Sequence, residues 1–144
     1  MKDICGSNHL DITSVPTVVD GFYGKARDFD GTDDYLSVAD NANVSWPTAS
    51  DATIAAWFYM DAQSGTRRMY EKDGNELISV GADVGFQITG GAGPARTTVS
   101  GNAWHFIVGW FDYVDGTSNK VEYQIDDGAV VSLTTAAEPS DGTD

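Results

Sequence analysis

From Trp104 to Phe111 the chain offers one arrangement that suits every side chain, an extended strand. Trp104, Phe106, Val108 and Trp110 then fall on one face, and His105, Ile107, Gly109 and Phe111 on the other. Thr53 to Met60 is a second β-rich run with almost no polar interruption. A run of that kind is expected to be buried on both faces and central in its sheet. Val121, Tyr123 and Ile125 alternate with Glu122, Gln124 and Asp126, the pattern of a strand with one wet face. No window of about eleven residues sustains a helical period.

Shorter strand signals fill the rest. His9 to Thr13 reads as a strand, and Lys25 to Phe29 with Tyr35 to Val38 as a hairpin around Asp30-Gly31-Thr32-Asp33, with Phe29 pointing inward. Arg67 to Lys72 leads through Asp73-Gly74-Asn75 into Glu76 to Val80, and Phe86 to Thr89 follows. Gly90 to Pro94 reads as a flexible loop. Asp126-Asp127-Gly128 returns the chain into Ala129 to Leu133, and residues from Thr134 on are small, polar and loop-like. Regularly spaced short strands with turn signals predict an all-β antiparallel sandwich or barrel. With 144 residues, 16 glycines and 4 prolines, the expectation is one domain over 1–144.

Charge removes whole classes of partner. The chain carries 22 acids against 8 bases, a formal net charge of −14. Phosphate backbones and anionic membranes are repelled, so neither nucleic acid nor membrane is expected as a partner. One cysteine, Cys5, excludes an intrachain disulfide. Met1 to Gly6 has no apolar run and does not read as a signal peptide.

Taken in order, the segments Gly24-Lys25-Ala26 into Phe29-Asp30-Gly31 and Asp34-Tyr35-Leu36, then Thr53 to Trp57, Glu71 to Gly74, Trp104-His105-Phe106 and Tyr123 to Gly128 form a recognisable series. Over roughly residues 6 to 134 it resembles the laminin-G-like branch of the concanavalin A-like lectin/glucanase superfamily. The resemblance implies a jelly-roll of two antiparallel sheets and a domain that looks trimmed at both ends. Unpaired strand edges would follow, so a homo-oligomer or a strand-supplying partner is expected.

Candidate sites are few. Glycoside hydrolysis needs two carboxylates flanking the scissile bond. Glu122 and Asp126 share a strand face, but Gln124 stands where the hydrolases of this superfamily place an acid. Asp28, Asp30, Asp33 and Asp34 cluster around a turn, which suits either calcium or side chains that hydrogen-bond their own backbone. His9 and His105 lack a companion set for a metal. Ser100, His105 and Asp112 can be drawn as a triad, but no nucleophile motif supports them. Trp57, Trp104 and Trp110 lie in apolar strands and are expected in the core. Trp46, in Ser45-Trp46-Pro47, either caps the sandwich or stacks on a sugar, and is the one ligand-binding candidate.

The expectation is a non-catalytic module that recognises carbohydrate or a protein surface, at an extracellular or virion-associated location. The alternative is a structural or decoration domain of a larger assembly, such as a virion or cell-surface adhesin. A glycoside hydrolase ranks third.

Overall fold

The computed structural model describes residues 9–46, 49–61 and 63–140. Cys5 and the start of the chain lie outside the described residues. The chain divides into two compact units, Met1–Ser45 and Trp46–Asp144.

The first unit contains two small ladders. Strand β1 (Asp11–Thr13) pairs antiparallel with β4 (Tyr35–Ser37), and β2 (Thr17–Asp20) with β3 (Lys25–Asp28). The expected hairpin around Asp30-Gly31 therefore does not form: β3 turns back onto β2 through Gly21–Gly24, and β4 reaches β1. The intervening acids organise a loop of their own. Phe29, expected inside, is 46% exposed.

The second unit is a two-layer sandwich. One sheet has the order β12 (Val131–Thr135), β11 (Asn119–Ile125), β10 (Trp104–Asp112), β5 (Ala52–Tyr59). The other has the order β6 (Thr66–Lys72), β7 (Asn75–Val80), β8 (Asp83–Gln87), β9 (Thr97–Thr98). All pairs are antiparallel. The β6–β7 connection is the two-residue turn Asp73-Gly74, with φ of 52° and 82°. Positive φ at both positions matches the right-handed twist of the flanking strands, which is why an Asp-Gly pair serves there.

The strand buried on both faces is β7, flanked by β6 and β8, and not Thr53 to Met60. Within its sheet β5 has β10 as its one neighbour, and alternate residues are exposed. A run of apolar residues signals burial only where both faces are covered, and here one face of β5 is not.

The core lies between the sheets. Ile107 and Phe111 of β10, Val121, Tyr123 and Ile125 of β11 and Phe58 of β5 meet Leu77, Val84, Phe86 and Ile88. Gly109 sits in the middle of the inner face of β10, and a Cβ there would stand 2.6 Å from Cγ of Phe86. The missing side chain lets the two sheets approach around the Phe86 ring.

Two fully buried asparagines fix the chain after β12. Asn75 Nδ2 donates to the Ser140 carbonyl (3.0 Å), and its Oδ1 accepts the Thr89 amide (3.2 Å). Asn119 Oδ1 accepts the amides of Val114 and Gly116, and its Nδ2 donates to the Ala137 carbonyl. The segment expected to be loop-like from Thr134 on is thus β12 followed by a stitched segment. The glycine-rich loop is likewise ordered, as a short 3-10 turn at Thr89–Gly91 closed by Ile88 N–H to the Ala92 carbonyl (2.8 Å).

Candidate functional site

The register of the first sheet builds an unusual outward face. Tyr59 lies opposite Trp104, Trp57 opposite Phe106, Ala55 opposite Val108, and Thr53 opposite Trp110. Across the other ladder Val108 faces Gln124, Trp110 faces Glu122 and Asp112 faces Lys120; Glu122 in turn faces Ser132. Side chains alternate across a strand, so all of these point away from the core. Trp57 is 42% and Tyr59 47% exposed, while Trp104, Phe106 and Trp110 are half-buried.

The three tryptophans expected in the core therefore stand on the outer face. The inner face of β10 belongs to His105, Ile107, Gly109 and Phe111. The cause is the close approach at Gly109: room for Phe86 exists on the glycine face and nowhere on the face of Val108 and Trp110.

The outer face has two halves. One is aromatic: the rings of Trp57 and Phe106 lie 5.2 Å apart and those of Tyr59 and Trp104 5.6 Å apart, both tilted. Such pairs stabilise the sheet and present π surface at once. The other half is polar. Trp110 Nε1 donates to Glu122 Oε2 (2.8 Å), and Gln124 Nε2 donates to the Gly128 carbonyl (2.7 Å). Aromatic platforms beside hydrogen-bonding groups are the surface a sugar ring requires: an apolar face to stack and hydroxyls to satisfy.

Trp46 does not serve as a platform. It is 6% exposed, stacks on Phe86 at 5.8 Å, and donates its indole N–H to the Tyr70 hydroxyl (2.5 Å). Of the two alternatives for Trp46 the buried ring fits the cap, because a ring of this size is held by whatever core it can reach. Burial pushes the Tyr70 phenol above its ordinary pKa, against the smaller opposing effect of the Trp46 hydrogen bond.

The two carboxylates considered for hydrolysis are engaged on opposite sides of the sheet. Glu122 is held by Trp110 on the outer face. Asp126 Oδ2 accepts from His105 Nδ1 (2.8 Å), and its Oδ1 accepts the Phe106 amide (2.9 Å). His105 belongs to the inner face, so Glu122 and Asp126 do not flank a common point.

His105 also meets Ser100, and Asp126 takes the place imagined for Asp112. Nε2 lies 3.2 Å from the Ser100 hydroxyl and 3.0 Å from the Ser100 carbonyl. A general base needs that nitrogen bare and aimed at the hydroxyl. The Ser100 carbonyl can accept only a hydrogen on Nε2, whereas the hydroxyl can take either role, and in both cases the contacts tie Ser100, His105 and Asp126 into a clamp. It joins the segment before β10 to the turn after β11, where Asp126 adopts φ of 52°.

Burial raises the Asp126 pKa, but the His105 hydrogen bond, the Phe106 amide and the imidazole charge outweigh it, leaving the carboxyl below its usual range. A depressed carboxylate contributes stability at pH above the unfolded-state value. That stability is lost as pH falls through the folded value. Asp126→Asn is expected to flatten the acid limb of the pH–stability curve. At neutral pH it costs about 0.5–1 kcal/mol, discounted for exposure; urea melts at a series of pH values check both.

In the first unit, Asp30, Asp33 and Asp34 bring carboxylate oxygens within 4.8 Å of one another, and Asp28 stands outside this group. Oxygen donors suit a hard cation such as calcium. One oxygen of each acid is nevertheless committed to the loop: Asp30 Oδ1 accepts the Thr32 amide (2.8 Å), Asp34 Oδ2 the Asp30 amide (3.1 Å), and Asp33 Oδ2 the Ser14 hydroxyl (3.0 Å). The Asp30 and Asp34 bonds are local turn chemistry, while the Asp33 bond reaches back 19 residues to Ser14.

Comparison with the curated proteins and with the solved structures finds no match. A laminin-G-like family model, described as the concanavalin A-like lectin/glucanases superfamily, matches residues 30–142. That span takes in the whole outer face and both sheets of the sandwich. The chain belongs to this laminin-G-like family of the concanavalin A-like lectin/glucanase superfamily, whose domains serve in general as carbohydrate- or protein-binding modules.

Proposed function

We propose that this chain is a non-catalytic carbohydrate-recognition module whose ligand docks on the outer face of the β5–β10–β11–β12 sheet. The observation that supports it is the graded face itself, two cross-strand aromatic pairs running into a polar row at Trp110, Glu122 and Gln124. From Trp104 to Trp110 the strand advances about 20 Å, room for roughly four sugar rings. A net charge of −14 selects against sulfated and uronic glycans, so the ligand is a neutral chain. The site draws on the second unit and uses no cation.

A glycan array followed by calorimetry tests this. Neutral oligosaccharides are expected to bind and sulfated ones to fail, with the same affinity in calcium and in chelator. Trp57→Ala and Trp104→Ala should each weaken binding by about tenfold, from the loss of about 1–3 kcal/mol of stacking, without shifting the melting temperature by more than a few degrees. Silence across diverse neutral glycans would remove the proposal. A glycan that binds only with calcium would move the site to the Asp30 loop.

A further inference from the structure

The aromatic half of the outer face stands on a part of β10 that outruns one of its neighbours. The ladder to β5 begins at Trp104 opposite Tyr59, whereas the ladder to β11 begins at Ile107 opposite Ile125. Trp104, His105 and Phe106 thus extend past the end of β11, and Trp104 and Phe106 each supply one ring of a cross-strand pair. On the β11 side the backbone N–H and C=O of Phe106 still need partners. Asp126, the first residue after β11, supplies both. Its amide donates to the Phe106 carbonyl (2.8 Å), and its Oδ1 accepts the Phe106 amide (2.9 Å). A carboxylate here stands in for the next residue of a strand.

That carboxylate is aimed from the core side. Its Oδ2 accepts from Nδ1 of His105, whose buried ring lies 5.5 Å from that of Phe58. The same turn also holds the polar half of the face. The Gly128 amide donates to the Ile125 carbonyl (3.0 Å), and the Gly128 carbonyl accepts Gln124 Nε2 (2.7 Å). We propose that Asp126 is the positioning residue of the carbohydrate face. Acting through the backbone of Phe106, it fixes the Trp57–Phe106 and Tyr59–Trp104 pairs, and its turn sets those rings relative to Gln124. The inference rests on the outer face being the ligand site. A surface loosened by about 1 Å loses affinity even when every contacting side chain is present.

Two variants test this. Asp126→Gly removes the carboxylate and suits the backbone φ of 52° at that position. Asp126→Asn suits the same φ and keeps an oxygen for the Phe106 amide. In nitrogen-15 spectra of the sugar-free chain, Asp126→Gly should shift or broaden the indole signals of Trp57 and Trp104. The Phe106 amide should lose exchange protection, while the Trp46 and Trp110 indoles stay in place. In calorimetry Asp126→Gly should bind neutral hexasaccharides about fivefold more weakly, less than the loss of a whole ring, and Asp126→Asn should recover most of that affinity. Unmoved Trp57 and Trp104 indoles in Asp126→Gly overturn the proposal, as does full affinity in that variant. An Asp126→Asn variant no better than Asp126→Gly overturns it by removing the Phe106 bond as the cause. Equal disturbance of Trp46 and Trp110 overturns it too, because Asp126 then supports the sandwich as a whole. If no glycan binds the unaltered chain, the carbohydrate reading fails at that step, and the indole and exchange measurements still decide whether Asp126 holds the rings.

Discussion

Gly109→Val is expected to be the most damaging single substitution in the sandwich. Any Cβ at this position falls 2.6 Å from Cγ and 2.7 Å from Cβ of Phe86. Those atoms lie near the root of a fully buried side chain, so the ring cannot swing away at its far end. The sheets must separate, or β10 must shift against β5 and β11. Overpacking of this kind costs about 1–3 kcal/mol, and valine at a backbone-proximal contact belongs at or above the top of that range. Urea denaturation of the variant should show a midpoint lowered to match. Gly109→Ala should lose less, and Phe86→Leu in the Gly109→Ala background should lose less than the sum of the two single changes, because the offending contact is shared. Strict additivity would place the strain elsewhere.

Asn75→Ala is the second. Asn75 is fully buried and lies where β7 begins. Its amide satisfies the Ser140 carbonyl and its oxygen the Thr89 amide, while the Thr89 hydroxyl in turn accepts the Ser140 amide (2.8 Å) and donates to the Asp73 carbonyl (3.0 Å). Truncation leaves a buried donor and a buried acceptor without partners, at about 1–3 kcal/mol each when no water enters. A loss of about 2–4 kcal/mol follows. Hydrogen exchange should show the Ser140 amide losing protection ahead of the β10 amides. Equal loss at both sites would mean that Asn75 supports the sandwich as a whole and not the segment after β12.

Much of this architecture was legible in the sequence because strand periodicity is local. The alternation of Val121, Tyr123 and Ile125 with polar residues correctly marked the inner face of β11, and Asp73-Gly74 marked the turn between β6 and β7. Sidedness was harder. Trp104, Phe106 and Trp110 outweigh Ile107 and Phe111 in apolar area, so area alone put the wrong face of β10 inside. The usable signal was Gly109, since a glycine within an apolar strand marks close approach by another element. Thr53 to Met60 misled for a related reason: exposed Trp57 and Tyr59 look the same in sequence as buried ones. Pairing partners were illegible where strands are short, because neither Lys25 to Asp28 nor Tyr35 to Ser37 carries a pattern that distinguishes β2 from β4 as a neighbour.

The candidate site follows from those same misread residues. Aromatic side chains that the core does not use sit two residues apart on adjacent strands, and that spacing turns them into a surface. The His105–Asp126 clamp was half visible: His105 drew attention, but its partner is 21 residues away and depends on the turn after β11. Asp112, the acid nearest in sequence, faces Lys120 on the outer face instead.

The four indole N–H signals of a nitrogen-15 correlation spectrum give the most direct test. Hexasaccharides of glucose, xylose and mannose are titrated in turn into the labelled chain. A binding sugar should shift the indoles of Trp57, Trp104 and Trp110 in a saturable way while that of Trp46, bonded to Tyr70 inside the sandwich, stays in place. Saturable binding that moves Trp46 and leaves the other three unmoved would contradict the placement of the ligand on the outer face of this sheet.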